Sequence, residues 1–263
     1  MDPPSWALDN GASPTARPKG DRVSYTFELG DEVSIKLATA PGVFVPTHTS
    51  TLCIEAVHNQ GPRPGRTLDL GCGCGVVGIA MNKLGYANGP LFASDLSPEA
   101  VDLTRTNCDA HAVNCDVRIG SLFEPWGDMR FDMIIDDVSG IAEEVAILSP
   151  WFSETIPCAS GDDGTALTRA VIEAAPDHLA DGGLLFIPVI SLSCVDRILD
   201  SAHATFGSVE KASGQDWRLP DEMTPHLDQL DALKSDGLID FARKFGMVMC
   251  RTDFYVCSEP KGK

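Results

Sequence analysis

Three glycines alternate with cysteines in residues 68–80, LDLGCGCGVVGIA, and they lie at Gly71, Gly73 and Gly75. A glycine-rich turn between a strand and a helix lets backbone N–H groups and the helix N-terminus approach a nucleotide, because no Cβ atom stands in the way. Gly73, Gly75 and Gly78 by themselves also form the G-x-G-x-x-G pattern of dinucleotide sites. The stretch therefore predicts a nucleotide-binding loop and leaves the nucleotide open.

Two acidic residues flank this loop. Asp95 ends the next predicted strand, where a carboxylate can accept hydrogen bonds from both ribose hydroxyls. Asp69 lies two positions before Gly71, near the carboxyl end of the first strand. A pyrophosphate would be repelled by that anion, whereas a ligand with an ammonium group would be attracted. Asp69 thus favours S-adenosylmethionine, which carries an ammonium group, over a dinucleotide.

The stretch LDLGCGCG, followed by FASDLSPEAV, resembles motif I and the acidic second-strand motif of class I S-adenosylmethionine-dependent methyltransferases. The resemblance implies that Asp69 and the glycine loop hold the methionine moiety and that Asp95 holds the ribose. It also implies that the next strand end faces the adenine, with Ser121 where the family often has an aspartate. The candidate cofactor-binding residues are Asp69, Gly71, Gly73, Gly75, Asp95, Leu96, Ser121 and Leu122.

Over roughly residues 40–190 the chain is similar to the release-factor glutamine methyltransferases and their small-domain relatives. PGVFVPTHTSTLCIEAV and GDDGTALTRAVIEAAPDHLADGGLLFIPV carry this part of the resemblance. After the strand FDMII the family pattern is Asn-Pro-Pro-aromatic, which holds a planar nitrogen. This chain instead has Asp137, then Val138-Ser139, then Gly140, so a carboxylate stands at the asparagine position.

Asp136 and Asp137 are the candidate catalytic residues. A carboxylate can bind a cationic amine or guanidinium, orient it and accept its proton. Because side chains alternate along a strand, we do not expect both to face the ligand. The family pattern favours Asp137. The alternative is that one of the two aspartates caps the helix that follows.

The elements that position these residues are predicted from periodicity. VSYTFELGDEVSIKLAT predicts a β-hairpin with a turn at Gly30-Asp31. Beyond it, strands and helices alternate, which predicts a doubly wound parallel sheet, and a helical stretch is predicted around 226–244, before the last strand. The resemblance implies a mostly parallel, seven-stranded Rossmann-like sheet with an antiparallel last strand. We predict a disordered tail at 1–20, an accessory hairpin and helix at 21–60, and a methyltransferase domain at 61–263.

Composition limits the partners and the location. A formal net charge of -18, without a basic stripe, makes nucleic acid an unlikely partner. The nine cysteines are scattered, and Cys72-x-Cys74 lacks the spacing of a zinc half-site, so we predict reduced thiols and no metal. The sequence has neither a long apolar run nor a signal-like start, which predicts a cytoplasmic protein without a membrane partner.

These observations predict an S-adenosylmethionine-dependent methyltransferase that transfers a methyl group to nitrogen. The acceptor would be an amine, guanidinium or amide of a small molecule or protein side chain, and oxygen stays open. The alternatives are an NAD(P)-dependent oxidoreductase, an aminopropyltransferase-like enzyme and a non-catalytic binding protein on the same fold. His48, Trp151, Phe152 and Trp217 are weaker candidates for the substrate pocket, with solvated or core positions as the alternative.

Overall fold

A computed structural model describes residues 24–29, 33–138, 140–152 and 160–262. The predicted tail and the hairpin turn at Gly30-Asp31 lie outside the described residues. The strands are β1 (Ser24–Leu29), β2 (Val33–Ala38), β3 (Arg63–Pro64), β4 (Thr67–Leu70), β5 (Ala87–Asn88), β6 (Leu91–Asp95), β7 (Cys115–Ile119), β8 (Phe131–Asp136), β9 (Leu179–Ile190), β10 (Phe206–Arg218), β11 (Ala242–Lys244) and β12 (Met247–Pro260). The helices are α1 (His48–Gln60), α2 (Val76–Lys83), α3 (Pro98–Ala110), α4 (Glu143–Leu148), α5 (Ala166–His178), α6 (Val195–Thr205) and α7 (Leu227–Ser235).

The central sheet has the strand order β7-β6-β4-β8-β9-β12-β10. The short strand β11 lies outside this order and pairs with β12. β7, β6, β4, β8 and β9 pair in parallel, whereas β12 is antiparallel to both of its neighbours, β9 and β10. The predicted Rossmann-like sheet with an antiparallel last strand is confirmed. The strand order reverses at β4, so the crevice beyond the carboxyl ends of β4 and β8 is where this topology places a ligand.

Hydrophobic clusters cover both faces of this sheet. Along β8 and β9, successive residues enter opposite clusters: Ile135 and Phe186 pack on one side, and Ile134 and Leu185 on the other. All four side chains are fully buried. A strand that is covered on both faces has no polar side to alternate with, which explains the continuous apolar run LLFIPVI.

The predicted N-terminal hairpin is confirmed, with β1 antiparallel to β2 and Phe27 opposite Ile35. Both of these side chains are buried in the core cluster that also contains residues of α1 and α2. Asn107 of α3 ties the hairpin to the glycine loop, because its side chain bonds the N–H and the carbonyl of Ala38 and donates to the carbonyl of Cys74. The division at residue 60 stays a prediction, and the core is continuous across it.

The structure differs from the predicted elements mainly near the C-terminus. The helical stretch expected over 226–244 is instead a 3-10 helix (Asp221–His226), α7 and the short strand β11. Gly237 ends α7 with φ +74°, and the N–H of Leu238 returns to the carbonyl of Leu233, which is a glycine C-cap. Within the described ranges, no helix combines the length and the apolar character that a bilayer crossing requires.

Candidate active site

The glycine loop connects β4 to α2 in left-handed backbone conformations. Gly71, Gly73 and Gly75 have φ of +76°, +53° and +82°. A Cβ atom on Gly71 would lie 2.9 Å from the carbonyl oxygen of Asp137, whereas one on Gly73 would meet only the carbonyl oxygen of Phe44, at 3.8 Å. The loop is therefore pressed against the chain after β8 at Gly71 and leaves open space at Gly73.

Asp69 is fully buried directly before this loop. Its Oδ2 accepts a hydrogen bond from the N–H of Gly78 at 3.1 Å, and its Oδ1 has no hydrogen-bond partner among the residues that the structure describes. Burial raises the pKa of Asp69 to about 7, with the charge of Asp95 adding to the rise and the Gly78 bond opposing it. An unpartnered carboxylate oxygen beside a glycine loop is a suitable acceptor for an ammonium group.

Gly78, the last residue of the overlapping G-x-G-x-x-G pattern, has a structural reason to be glycine. A Cβ atom there would lie 2.5 Å from the side chain of Leu91 on β6. Gly78 is the third residue of α2, so its N–H has no partner within the helix and is instead bonded by Asp69. Close packing of helix on strand accounts for Gly78 without a dinucleotide.

Asp95, at the end of β6, is half-buried, and each of its two carboxylate oxygens accepts a hydrogen bond from a backbone N–H group. Its Oδ2 accepts from the N–H of Gly73 at 2.9 Å, and its Oδ1 accepts from the N–H of Ser97 at 2.9 Å. Each carboxylate oxygen keeps a free lone pair, so Asp95 can still accept hydrogen bonds from ribose hydroxyls.

The predicted adenine side contains exposed apolar side chains. Leu96 is 57% exposed, and Ile119, which pairs in register with Asp95, is 54% exposed. Leu122 is half-buried with φ +47°, and Ser121 donates its N–H to Glu124 Oε2 at 3.3 Å. Sequence reasoning missed Ile119, although its place at the end of the strand next to Asp95 could have indicated it. Two exposed apolar side chains at a strand end suit the face of a purine base.

Asp136 and Asp137 lie where β8 ends, beside the glycine loop. Asp136 is fully buried, and its Oδ1 accepts from the N–H of Val138 at 3.2 Å. Burial raises its pKa to about 7, and hydrogen bonds with the Val138 N–H and the Thr168 hydroxyl oppose the rise. Asp137 is half-buried, and its N–H donates to the carbonyl of Leu70. Burial raises the pKa of the Asp137 carboxyl well above its ordinary value, and the charges of Asp69, Asp136 and Asp95 raise it further.

Neither Asp136 nor Asp137 caps α4, the helix that follows, which was the alternative to a catalytic role. The following helix, α4, has Ala142 at its N-cap and no side-chain cap. Across the described ranges, no lysine or arginine forms an ion pair with Asp69, Asp95, Asp136 or Asp137. We refer to these four residues as the acidic cluster. Four carboxylates without a positive partner suit a cationic ligand such as the ammonium group of S-adenosylmethionine, so the site fits the predicted cofactor.

Cys72 and Cys74 are buried small side chains of the loop. Burial raises the pKa of the Cys74 thiol to about 12, so at neutral pH it is protonated and a poor nucleophile. Cys72 Sγ accepts a hydrogen bond from Thr104 Oγ1, which lies in α3. Both side chains serve to pack the loop against its neighbours.

The strand order and the glycine loop are those of the fold that the class I S-adenosylmethionine-dependent methyltransferases have, and the comparisons with known proteins agree with this resemblance. Residues 34–137 match the family model of the methyltransferase small domain. A release factor glutamine methyltransferase of Geobacter sulfurreducens is 29% identical over 175 residues, which are 65% of this chain and 61% of the relative. A ribosomal protein L11 methyltransferase of Bordetella parapertussis is 27% identical over 67% of this chain and 52% of the relative. The chain thus spans less than two thirds of the length of both relatives.

Solved structures share the fold. A Thermus thermophilus 16S rRNA N2 G1207 methyltransferase, solved with its methyl donor and guanosine, superposes with a TM-score of 0.56 at 14% identity, covering 93% of this chain and 52% of that one. A putative methyltransferase complexed with S-adenosylhomocysteine gives a TM-score of 0.54 at 13% identity, over 92% and 58%.

The comparisons confirm the predicted resemblance to S-adenosylmethionine-dependent methyltransferases and agree with the predicted cofactor, whereas the activity of this protein stays a prediction. They do not support the expectation that nucleic acid is an unlikely partner, since some structural neighbours are named for RNA substrates. The roles of the individual site residues stay predictions.

Proposed function

We propose that this protein transfers a methyl group from S-adenosylmethionine to a nitrogen atom of a small molecule or a protein side chain. The observation that carries the proposal is the placement of Asp137: its backbone carbonyl lies against Gly71 of the glycine loop, and its carboxyl is close enough to those of Asp69, Asp136 and Asp95 for their charges to raise its pKa. A carboxylate at that point can orient an amine, guanidinium or amide nitrogen and take up its proton.

The cofactor would be held by the residues that the sequence singled out. Asp69 Oδ1 would accept from the ammonium group, the N–H groups of the glycine loop would border the methionine moiety, and Asp95 would accept from the ribose hydroxyls. Leu96 and Ile119 would cover the adenine. When bound, the cofactor supplies a methyl group on a sulfonium whose sulfur leaves with the bonding electron pair.

The chain's own contribution to the reaction would be positioning and proton transfer. The acceptor nitrogen forms the new C–N bond with its lone pair, so it must reach the methyl carbon unprotonated and aligned. Asp137 accepts the proton that this nitrogen releases. Asp136, which is fully buried and bonded to the N–H of Val138, holds the turn after β8 in place.

Relatives and neighbours differ in the acceptors that their names state. Two are named for protein substrates, a release factor and ribosomal protein L11, and one for 16S rRNA. We favour a small molecule or a protein over RNA for this chain because its net charge is -18. A cytoplasmic location agrees with the translation-related names of the relatives and stays a prediction.

The test is to incubate the protein with S-adenosylmethionine labelled in the methyl group and with cell extract separated into metabolites, proteins and RNA. We expect label in the metabolite or protein fraction, with a mass gain of one methyl group on nitrogen, and a strong loss of labelling for Asp137→Ala. Glu144→Gln, on the first turn of α4, is the matched acidic control and should keep full activity.

Several results would contradict the proposal. Label in RNA alone would show that the acceptor is RNA and not a small molecule or a protein. A mass gain of three carbons from decarboxylated S-adenosylmethionine would indicate aminopropyl transfer. Stabilisation against heat by NAD(P)H and not by S-adenosylhomocysteine would indicate the oxidoreductase. Binding of S-adenosylhomocysteine without transfer in any fraction would favour the non-catalytic binding protein.

A further inference from the structure

Two buried polar side chains of α3 bind the backbone of the glycine loop. Thr104 and Asn107 lie three residues apart in the helix, so they share one face, and they are 0% and 1% exposed. Thr104 Oγ1 donates to the carbonyl of Gly73 at 2.9 Å, and Asn107 Nδ2 donates to the carbonyl of Cys74 at 2.8 Å. Two consecutive carbonyl groups of the loop are therefore bonded to side chains of one helix.

These two bonds fix the direction of the N–H groups in the loop. A trans peptide unit is planar, and its C=O and N–H groups point in opposite directions. The bond from Thr104 fixes the unit between Gly73 and Cys74, so the N–H of Cys74 points away from Thr104. The bond from Asn107 fixes the next unit, whose N–H, on Gly75, donates to the carbonyl of Cys72 at 2.7 Å and closes the turn.

Asn107 also binds the N-terminal hairpin. Its Oδ1 accepts from the N–H of Ala38 at 2.8 Å, and its Nδ2 donates to the carbonyl of Ala38 at 3.1 Å. Ala38 ends β2, and the chain that leaves it reaches the glycine loop at Phe44, whose carbonyl oxygen lies 3.8 Å from the Cβ position of Gly73. One amide thus holds both the loop and the start of the segment that lies against it.

The polar residues of α3 are not needed to pack the helix. Its other buried side chains are apolar, namely Ala100, Val101, Leu103 and Cys108. A buried polar side chain costs free energy unless it is hydrogen-bonded, and both polar ones use their bonds on the glycine loop. Thr104 also touches the entry to α2, because a Cβ atom on Gly75 would lie 3.0 Å from its Cγ2.

We infer that Thr104 and Asn107 are positioning residues for the cofactor, which hold the glycine loop in the arrangement that binds S-adenosylmethionine. Through Asn107, this arrangement also depends on the docked N-terminal hairpin. When a loop samples several arrangements, only the competent fraction binds, and the apparent affinity falls with that fraction. The inference rests on the proposed function, because it concerns the same cofactor loop, and it extends that site to residues of α3 and β2.

The experiment measures the affinity of the full chain for S-adenosylhomocysteine by calorimetry. Thr104→Val keeps the shape of the side chain and removes the hydroxyl, so binding should weaken about tenfold. Thr104→Ser keeps the hydroxyl and should bind within about twofold of the unaltered protein. Thr106→Val is the matched control, because it is the same substitution in the same helix at an exposed hydroxyl that bonds the carbonyl of Asp102. It should leave the affinity unchanged.

Asn107→Leu tests the link to the hairpin. It keeps the number of non-hydrogen atoms and removes the bonds to Cys74 and Ala38, so the affinity should fall about thirtyfold or more. His111→Ala is the control, since it removes a contact of the α3 C-cap with the hairpin carbonyl of Lys36 and does not touch the loop. Asn107→Asp, which keeps an acceptor for the Ala38 N–H, replaces Asn107→Leu should that variant not fold.

A purely structural role would give a different pattern. Calorimetry below the melting temperature reports on the folded protein, so a residue that only stabilises the fold would lower the melting temperature and leave this affinity unchanged. NMR provides a second measurement: without ligand, the amide signals of Gly73 and Gly75 should move in Thr104→Val and stay in place in Thr106→Val.

The outcomes separate this inference from the proposed function. An unchanged affinity of Thr104→Val, or a loss that Thr104→Ser shares, would overturn the positioning role and leave methyl transfer standing. An unchanged affinity of the folded Asn107 variant would overturn the dependence on the hairpin. Failure of the unaltered protein to bind S-adenosylhomocysteine would overturn the proposed function and, with it, this inference.

Discussion

The cofactor half and the acceptor half of the site are built in different ways. The predicted cofactor half consists of the glycine loop with Asp69 and Asp95, which lie 26 positions apart in the chain, and each of the two carboxylates accepts a hydrogen bond from a backbone N–H of the loop or of the helix that follows it. The predicted acceptor half consists of the turn after β8, with Asp137, and of aromatic side chains from distant segments, such as the contacting pairs Phe44–Phe152 and Trp151–Trp217. The first half depends on local backbone conformation, and the second on how distant segments pack.

The difference teaches where each half can vary. In the cofactor half, glycines in left-handed conformation and a carboxylate bonded to N–H groups leave few substitutions that preserve the geometry. In the acceptor half, Asp137 and the rings contribute side chains that can change while the backbone stays in place. This agrees with the sequence. The acceptor half departs from the family's Asn-Pro-Pro-aromatic pattern, whereas the glycine loop and its flanking acids keep the family's pattern.

The largest expected effect is a loss of stability when the contact between the two halves, Gly71 against the carbonyl of Asp137, is disturbed. Gly71→Ala adds a Cβ 2.9 Å from the Asp137 carbonyl at a φ of +76°, so we expect a loss of about 3 kcal/mol or more in the free energy of unfolding. Gly73→Ala is the matched control. Its positive φ also disfavours alanine, but the added Cβ would have no close contact, so we expect a loss of about 1 kcal/mol in the free energy of unfolding. Urea unfolding without ligand measures both. Equal losses would show that the turn after β8 does not press on the loop.

The second effect concerns pH. Burial raises the pKa of Asp69 and of Asp136 to about 7, above the value of 3.8 for an unperturbed aspartate. The folded state then holds protons that the unfolded state releases, so the ligand-free protein should lose stability as pH rises from about 4 to 7, by a few kcal/mol in all. The loss should level off above pH 7, where both states are ionised.

Thermal unfolding across this pH range checks the sign. Asp69→Asn cannot titrate and should flatten part of the decline. Binding of S-adenosylhomocysteine should strengthen over the same range, because its ammonium group pairs with the ionised form of Asp69. A melting temperature that rises from pH 5 to pH 7 would contradict the assignment of these two carboxyls as destabilising when charged.

The third effect sharpens the role of Asp95 in the cofactor half. Asp95→Ala removes the acceptor of the Gly73 and Ser97 N–H groups and of the ribose hydroxyls, and affinity for S-adenosylhomocysteine should fall about 30- to 100-fold. Asp102→Asn alters an exposed carboxylate of α3 that pairs with Arg105, and calorimetry should find its affinity unchanged. Similar affinities for both variants would remove Asp95 from the binding site.

The smallest expected effect is at the adenine side. Leu96→Ser should weaken S-adenosylhomocysteine binding by about three- to tenfold, because a 57% exposed apolar side chain would no longer cover the base. Ile147→Ser, at a 71% exposed position on α4, is the control and should leave calorimetric affinity as it is. An equal effect of both variants would mean that general surface polarity, and not contact with the base, changed the binding.

The sequence by itself determined the class of fold and the position of the glycine loop with its two flanking acids, whose roles toward the cofactor stay predictions. Alternating strands and helices, the glycines at 71, 73 and 75 and the acids at 69 and 95 depend on interactions between residues near in sequence, so their spacing alone indicates them. The overlapping dinucleotide pattern was ambiguous until packing against Leu91 accounted for Gly78. The element bounds of the C-terminal part were wrong where a glycine cap ended α7 early.

Only the tertiary structure decided which distant residues share the acceptor half. Ile119 joins the cofactor site because β7 pairs with β6, and Phe44 meets Phe152 because the segment before α1 folds back over the glycine loop. His48, Trp151 and Trp217 were weaker candidates for the substrate pocket, and their mutual contacts could not be predicted from separations of about 66 to 169 residues in the sequence. Periodicity reports which face of an element is apolar, whereas the partner of that face is set by the packing of the whole chain.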